Sequence, residues 1–175
     1  MHRVSRFIFA VFASATLLVS PAIAADPLPA PEGDVLLTIT GAIGLTNNPE
    51  GDAALFDRAM LEALPVRTIR TATIWTEGVQ EFTGVPLADL LERIEVTDRP
   101  SLRAAAINDY AIDIPAEDWE NDVALIAYER NGAEMSVRDK GPLWVIYPFD
   151  DAPELNTEVH FSRSIWQLDR IEIKE

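Results

Sequence analysis

The sequence predicts an α+β domain of short strands and two modest helices, and three observations carry that reading. Short apolar runs recur along the chain, most of them without strict alternation. Two stretches carry helical apolar spacing instead. Gly, Asn and Pro separate the runs, and no internal repeat or low-complexity segment interrupts the mixture.

Taken in order, residues 1–24 read as a secretory signal peptide. Arg3 and Arg6 open it, residues 7–19 are apolar, Pro21 breaks the run, and Ala22 and Ala24 form an A-x-A cleavage site. The apolar run is shorter than the ~20 residues of a bilayer-spanning helix. Without a following Cys, no lipid anchor is expected. Cleavage after Ala24 leaves 151 residues, the size of one domain, and the expected location is the periplasm, with no stable membrane insertion. Residues 25–33 are a Pro-rich extended lead-in, and residues 34–175 the domain proper.

Within the domain, "DVLLTITGAI" reads as a strand with Gly41 as a bend. Residues 46–66 read as a loop and then a helix, capped by Asp52 and stopped by Pro65. Leu55, Phe56, Ala59, Met60, Ala63 and Leu64 form its apolar face. "VRTIRTATIW" is a strand, with Arg67 and Arg70 as outward charges that blunt an edge. "EFTGVPLADLLERI" reads as a turn and a short helix burying Val85, Leu87, Leu90, Leu91 and Ile94. Two short strands flank Asn108-Asp109-Tyr110, and Pro115 leads into a turn or short helix with Trp119. "VALIAYERNGAEMSV" is a hairpin turning at Asn131-Gly132. "PLWVIYPF" is a further apolar run, and "SIWQLDRIEIKE" a closing strand with Ile165, Leu168, Ile171 and Ile173.

Composition narrows the function. Fourteen Lys and Arg against 29 Asp and Glu give a formal net charge of −15, and loss of Arg3 and Arg6 with the leader takes it to −17. Such a surface repels nucleic acid and anionic lipid, and any anion site on it needs local Arg. The absence of Cys removes thiolate nucleophiles, iron–sulfur clusters and Cys-ligated metals. One His, His160, follows the leader. It is expected to be structural or exposed, and no metal is predicted.

Four segments, "TATIWTEGVQEFTGVPLADLLERI", "AAINDYAIDIPAEDW", "KGPLWVIYPFDD" and "SRSIWQLDRIEI", resemble the molybdopterin-binding domain of the sulfite-oxidase family in order and spacing. The likeness is greatest to small, exported, stand-alone members, and it implies a compact sulfite-oxidase-type fold holding a pterin where strands end. In the family's enzymes a strand ends in a cysteine, followed shortly by a glycine, whose thiolate binds molybdenum. Laid on that motif, this chain has Thr76, a neutral hard donor. Where the family carries Lys near its C-terminal segment, this chain has Trp166, with Arg163 beside it.

The resemblance and the side-chain chemistry together give the candidate ligand-binding residues. Trp75 supplies a flat wall, and Thr76 a hydroxyl facing the ligand, with Glu77 a weaker candidate. Asp109, or Asp113 further along, accepts paired N–H donors from the amino-pyrimidinone edge of a pterin, and Tyr110 stands beside it. Gly141 permits close backbone approach or positive φ, and Tyr147 places a hydroxyl at the pocket rim. Leu143, Val145 and Phe149 belong to the core, and Trp144 to core or pocket. Arg163, Ser164 and Trp166 complete the pocket, with Arg163 stacking on the ligand or contacting its side chain.

The expected function is that of a pterin-binding protein without a molybdenum ligand. The resemblance implies an accessory subunit to the periplasmic domain of a membrane sensor, of the kind that sets cyclic-di-GMP level. Two alternatives stay open: a molybdopterin-dependent oxidoreductase with atypical metal ligation, and an interaction domain whose pocket is filled. Fold alone does not separate them.

Overall fold

The computed structural model describes residues 26–121 and 123–174, and the predicted leader lies outside the described residues. Among the described residues, ten strands form two sheets. The first is built from β1 (Leu37–Gly41), β2 (Ala53–Phe56), β5 (Leu102–Ala106), β6 (Ala111–Ile114) and β10 (Leu168–Ile173), in the order β2-β1-β10-β5-β6. Its β1–β10 pair is parallel and the others are antiparallel. The second contains β3 (Arg67–Ala72), β4 (Val79–Pro86), β7 (Leu125–Arg130) and β8 (Ala133–Glu134) in that order, with β9 (Trp144–Ile146) pairing β7. Because β4 runs along the whole of β7, β8 and β9 share the other edge of β7, one near each end. Four short helices among the described residues, α1 (Arg58–Glu62), α2 (Leu87–Arg93), α3 (Ala116–Glu120) and α4 (Glu158–Arg163), pack around the sheets. None of the described helices is long and apolar enough to cross a membrane.

The largest difference from the sequence-based expectation lies at residues 46–66. The apolar run there is not one helix: Ala53–Phe56 pairs with β1, and the helix starts afresh at Arg58. Asp57, not Asp52, is the cap. Its carboxylate accepts from the Met60 N–H at 2.9 Å and from Glu32 and Gly33 N–H at 2.7 and 2.8 Å. Those backbone donors, Gly33 foremost, hold the Asp57 carboxyl below the usual carboxylate range. They also tie the Pro-rich lead-in to the domain, and Leu28 is buried in the main core.

The stretch before α2 likewise forms a strand rather than a turn. Gly84 sits in β4 at a bulge, because a Cβ there would overlap the carbonyl oxygen of Ile126 on β7. The buried face expected for this segment is observed: Val85, Leu87, Leu90, Leu91 and Ile94 have essentially no exposed surface. The hairpin turns at Asn131-Gly132 with φ of 54° and 73°, as the Asn-Gly pair requires. β3 is an edge strand, and Arg70 on it is exposed.

Two apolar clusters result. The larger joins the first sheet to α1 and α2. The smaller, between β3, β4, β7 and β9, contains Phe82, Leu125, Met135, Trp144 and Ile146, and half-buried Trp75 and Trp166 pack against it.

Candidate functional site

A cleft of about 700 Å³ opens where four segments converge: the loop after β3, the β5–β6 turn, helix α4 and the segment leading into β10. Trp75 stands in the first of these. Its loop is anchored at the start, where the Thr71 hydroxyl accepts from the Asp150 N–H at 3.1 Å and the Asp150 carboxylate accepts from the Ala72 N–H at 3.0 Å. Within the loop, the Thr73 and Thr76 hydroxyls lie 2.8 Å apart, and the Trp75 N–H donates to Thr73 Oγ1 at 3.2 Å. The "TATIWT" stretch therefore closes on itself, and the half-buried indole packs against the smaller apolar cluster while lining the cleft. Thr76 is held in that turn and does not line the cleft. Glu77 is exposed, and its carbonyl accepts from Gln80 at 2.7 Å.

Trp166 comes from the opposite side. The backbone of residues 165–168 runs beside residues 140–145: Val145 N–H donates to Ile165 O at 2.9 Å, Gln167 N–H to Lys140 O at 2.9 Å, and Leu168 N–H to Leu143 O at 3.0 Å. Gly141 serves through space rather than φ and on another side: a Cβ on it would overlap the Met135 carbonyl oxygen, so glycine lets the Met135 backbone approach. The rings then interlock, Trp75 meeting Trp166 and Phe161 edge to face and Trp144 at a tilt. Trp75 lies 5.5 Å from Trp166, 5.9 Å from Phe161 and 6.0 Å from Trp144, within the range where aromatic quadrupoles attract. Lys140 Nζ sits 4.4 Å from the Trp166 ring centroid, a cation–π contact that fixes the indole. Trp144 is fully buried beneath this wall and donates its indole N–H to Ser164 O at 3.1 Å.

Of the residues singled out from sequence, Trp75, Tyr110, Ser164 and Trp166 line the cleft together. The others lie elsewhere. Asp109 occupies a left-handed turn position, φ 64°, which swings its carboxylate to Arg170 at 2.8 Å, away from the cleft. Asp113 pairs with Lys174 at 2.8 Å and Arg103 at 3.3 Å, contacts that hold its carboxyl low. Tyr147 is not at a rim: it is fully buried and donates its hydroxyl to Asp118 at 2.8 Å. Burial, and then the charge of Asp118, raise the Tyr147 hydroxyl well above its ordinary range. Arg163 also turns from the cleft and donates to both Asp118 oxygens at 3.1 Å. His160 joins the same knot, with Nε2 3.8 Å from Asp118 and Nδ1 2.9 Å from the Thr157 hydroxyl.

Sequence reasoning missed two features. One is buried Asp118, the centre of that knot. The other is α4, which supplies Glu158, Val159, Phe161 and Ser162 to the cleft. The local signals for α4 are Thr157, whose hydroxyl caps it by accepting from the His160 N–H, the acid Glu158 in its first turn and the bases His160 and Arg163 in its last. Among the described residues, no group of three or more His, Asp and Glu side chains converges as a metal site would require. Among the described residues, no Lys or Arg lines the cleft.

The architecture matches known proteins. The crystal structure of the sulfane dehydrogenase SoxCD from Paracoccus pantotrophus superposes with a TM-score of 0.59 at 20% identity. The alignment covers 79% of this chain and 37% of that one, a likeness that concerns the fold alone. No curated protein sequence matches. The sequence profile of the oxidoreductase molybdopterin-binding domain matches residues 62–150, just over half of the chain and the part that carries Trp75, Asp118 and Trp144. The sheets, their order in the chain and this profile agree: the chain belongs to the oxidoreductase molybdopterin-binding domain family.

Proposed function

We propose that this chain is a pterin-binding protein that recognises its ligand and does not carry out redox chemistry on it. The observation that carries the reading is the aromatic wall of Trp75, Phe161 and Trp166 facing an open cleft of about 700 Å³, a volume suited to a small heterocycle. Flat heteroaromatic rings are held by such walls together with a few polar groups, here Asn108, Tyr110, Glu158 and Ser162.

The residues present do not fit the molybdenum cofactor of the family. The position that resembles the metal-binding cysteine is Thr76, and its hydroxyl is engaged with Thr73. The chain has no Cys to take its place. The cofactor's phosphate would meet a cleft without a lining cation, since Arg163 is committed to Asp118 and Lys140 to Trp166. These features weigh against the oxidoreductase with atypical ligation. The open cleft weighs against an interaction domain with a filled pocket.

In this reading the leader is removed after Ala24 and the domain works in the periplasm. There it reports the bound pterin to the periplasmic domain of a membrane signalling protein, and through it to cyclic-di-GMP level. The test is a tryptophan-fluorescence titration with tetrahydropterin-type and oxidised pterins. Quenching that saturates at micromolar ligand and weakens in Trp75→Ala supports the reading. A flat titration in both proteins rejects it.

A further inference from the structure

We propose that the cleft selects a phosphate-free heterocycle with an N–H donor edge, and that Glu158 is the residue that reads this edge. The inference rests on the pterin reading of the same cleft and adds the charge class of the ligand and the residue that sets it.

Among the described residues, Glu158 is the one charged side chain in the lining. It is exposed, and no hydrogen bond or ion pair among the described residues engages its carboxylate. Two neutral polar atoms of the lining are already engaged, which leaves the Asn108 amide nitrogen and the Tyr110 hydroxyl to assist Glu158. Asn108 Oδ1 accepts from the Tyr110 N–H at 3.2 Å, and the Ser162 hydroxyl lies 2.9 Å from each of the carbonyls of Glu158 and Val159. Both acids expected from sequence to take the role are paired, Asp109 with Arg170 and Asp113 with Lys174 and Arg103, and buried Asp118 is paired with Arg163. An uncommitted carboxylate beside aromatic walls suits one chemistry well. It accepts two parallel N–H bonds from an amino-pyrimidinone edge, as carboxylates do from a guanidinium fork.

The same geometry disfavours phosphate. A phosphate ester in this cleft places a dianion near Glu158 with no lining Lys or Arg, on a chain of formal net charge −15. The cations close by are engaged elsewhere. Arg163 is held by Asp118 at 3.1 Å, and Lys140 is stacked on Trp166 at 4.4 Å.

The experiment is calorimetric titration of the protein, and of Glu158→Gln and Glu158→Lys, with neopterin and with its monophosphate ester. Wild type should bind neopterin at least about tenfold more tightly than the ester. Glu158→Gln should weaken neopterin about tenfold, the loss expected for a charge-assisted pair, and narrow the gap. Glu158→Lys should reverse the preference. Because Glu158 is exposed, both variants should keep the wild-type melting profile, which a thermal scan checks. Equal or tighter binding of the ester by wild type, or wild-type affinity for neopterin in Glu158→Gln, overturns the inference and leaves the pterin reading standing. Failure of wild type to bind either compound overturns the pterin reading, and the inference with it.

Discussion

Helix α4 separates two neighbourhoods of opposite character. On its cleft side stand Glu158, Val159, Phe161 and Ser162, facing open space with an uncommitted carboxylate. On its other side His160 and Arg163 meet Asp118 and Tyr147, where the acid accepts from both Tyr147 and Arg163 and is almost fully buried. Helical spacing alone assigns these two sets to different faces. The contrast teaches how this domain divides its polar residues: those that satisfy one another fix the position of α4, and those left over are available to a ligand. Variants in the knot should therefore move stability, and variants in the cleft should move binding.

The largest expected effect is on the knot. Asp118→Ala leaves the Tyr147 hydroxyl and the Arg163 guanidinium without their shared acceptor. It should cost about 3 kcal/mol of unfolding free energy in urea melts, the order expected when a buried pair is broken. Trp75→Ala sharpens the comparison from the other side. It should weaken pterin binding about tenfold, because it removes the central ring of the wall, while its unfolding midpoint stays above that of Asp118→Ala. If Trp75→Ala unfolds first, or Asp118→Ala keeps full stability, the division fails.

A smaller effect separates the two sides by pH. The Tyr147 hydroxyl is raised in the folded protein above its ordinary value of 10.0, chiefly by burial and then by Asp118. The stabilisation this represents is fully present below pH 10.0 and is lost as pH rises through the folded value. Tyr147→Phe should cost about 1 kcal/mol at neutral pH and flatten that alkaline decline. Alkaline melts in which the variant falls as steeply as wild type would count against the knot. The smallest effect belongs to Asp109. Its ion pair with Arg170 is exposed, so Asp109→Asn should shift stability by less than about 0.5 kcal/mol and leave pterin affinity unchanged. A tenfold loss of affinity would return Asp109 to the site.

Much of the architecture is legible in the sequence, because apolar runs bounded by Gly, Asn and Pro mark β1, β5, β6, β7 and β10 directly. The failures have physical causes. Ala53–Phe56 adjoins the helical pattern of α1, so β2 hides inside an apparent helix until pairing with β1 claims it. Thr83-Gly84 looks like a turn, yet glycine is there to let β7 approach. Helix α4 spans six residues with none of them fully buried, so its period is too weak to read. The site was half legible. Trp75 and Trp166 declare themselves as aromatics beside strand ends. Asp118, one acid among 29, gains its meaning from partners 29 and 45 residues away, which no local pattern reports.

The most direct test of the central claim is to follow the four indole N–H signals by nuclear magnetic resonance during titration with tetrahydropterin. The account predicts saturable shifts at Trp75 and Trp166, a smaller one at Trp144, whose N–H is held by Ser164 O, and none at Trp119, whose N–H lies 3.3 Å from Pro100 O. Four unmoved indoles, or four that drift together without saturating, would contradict it.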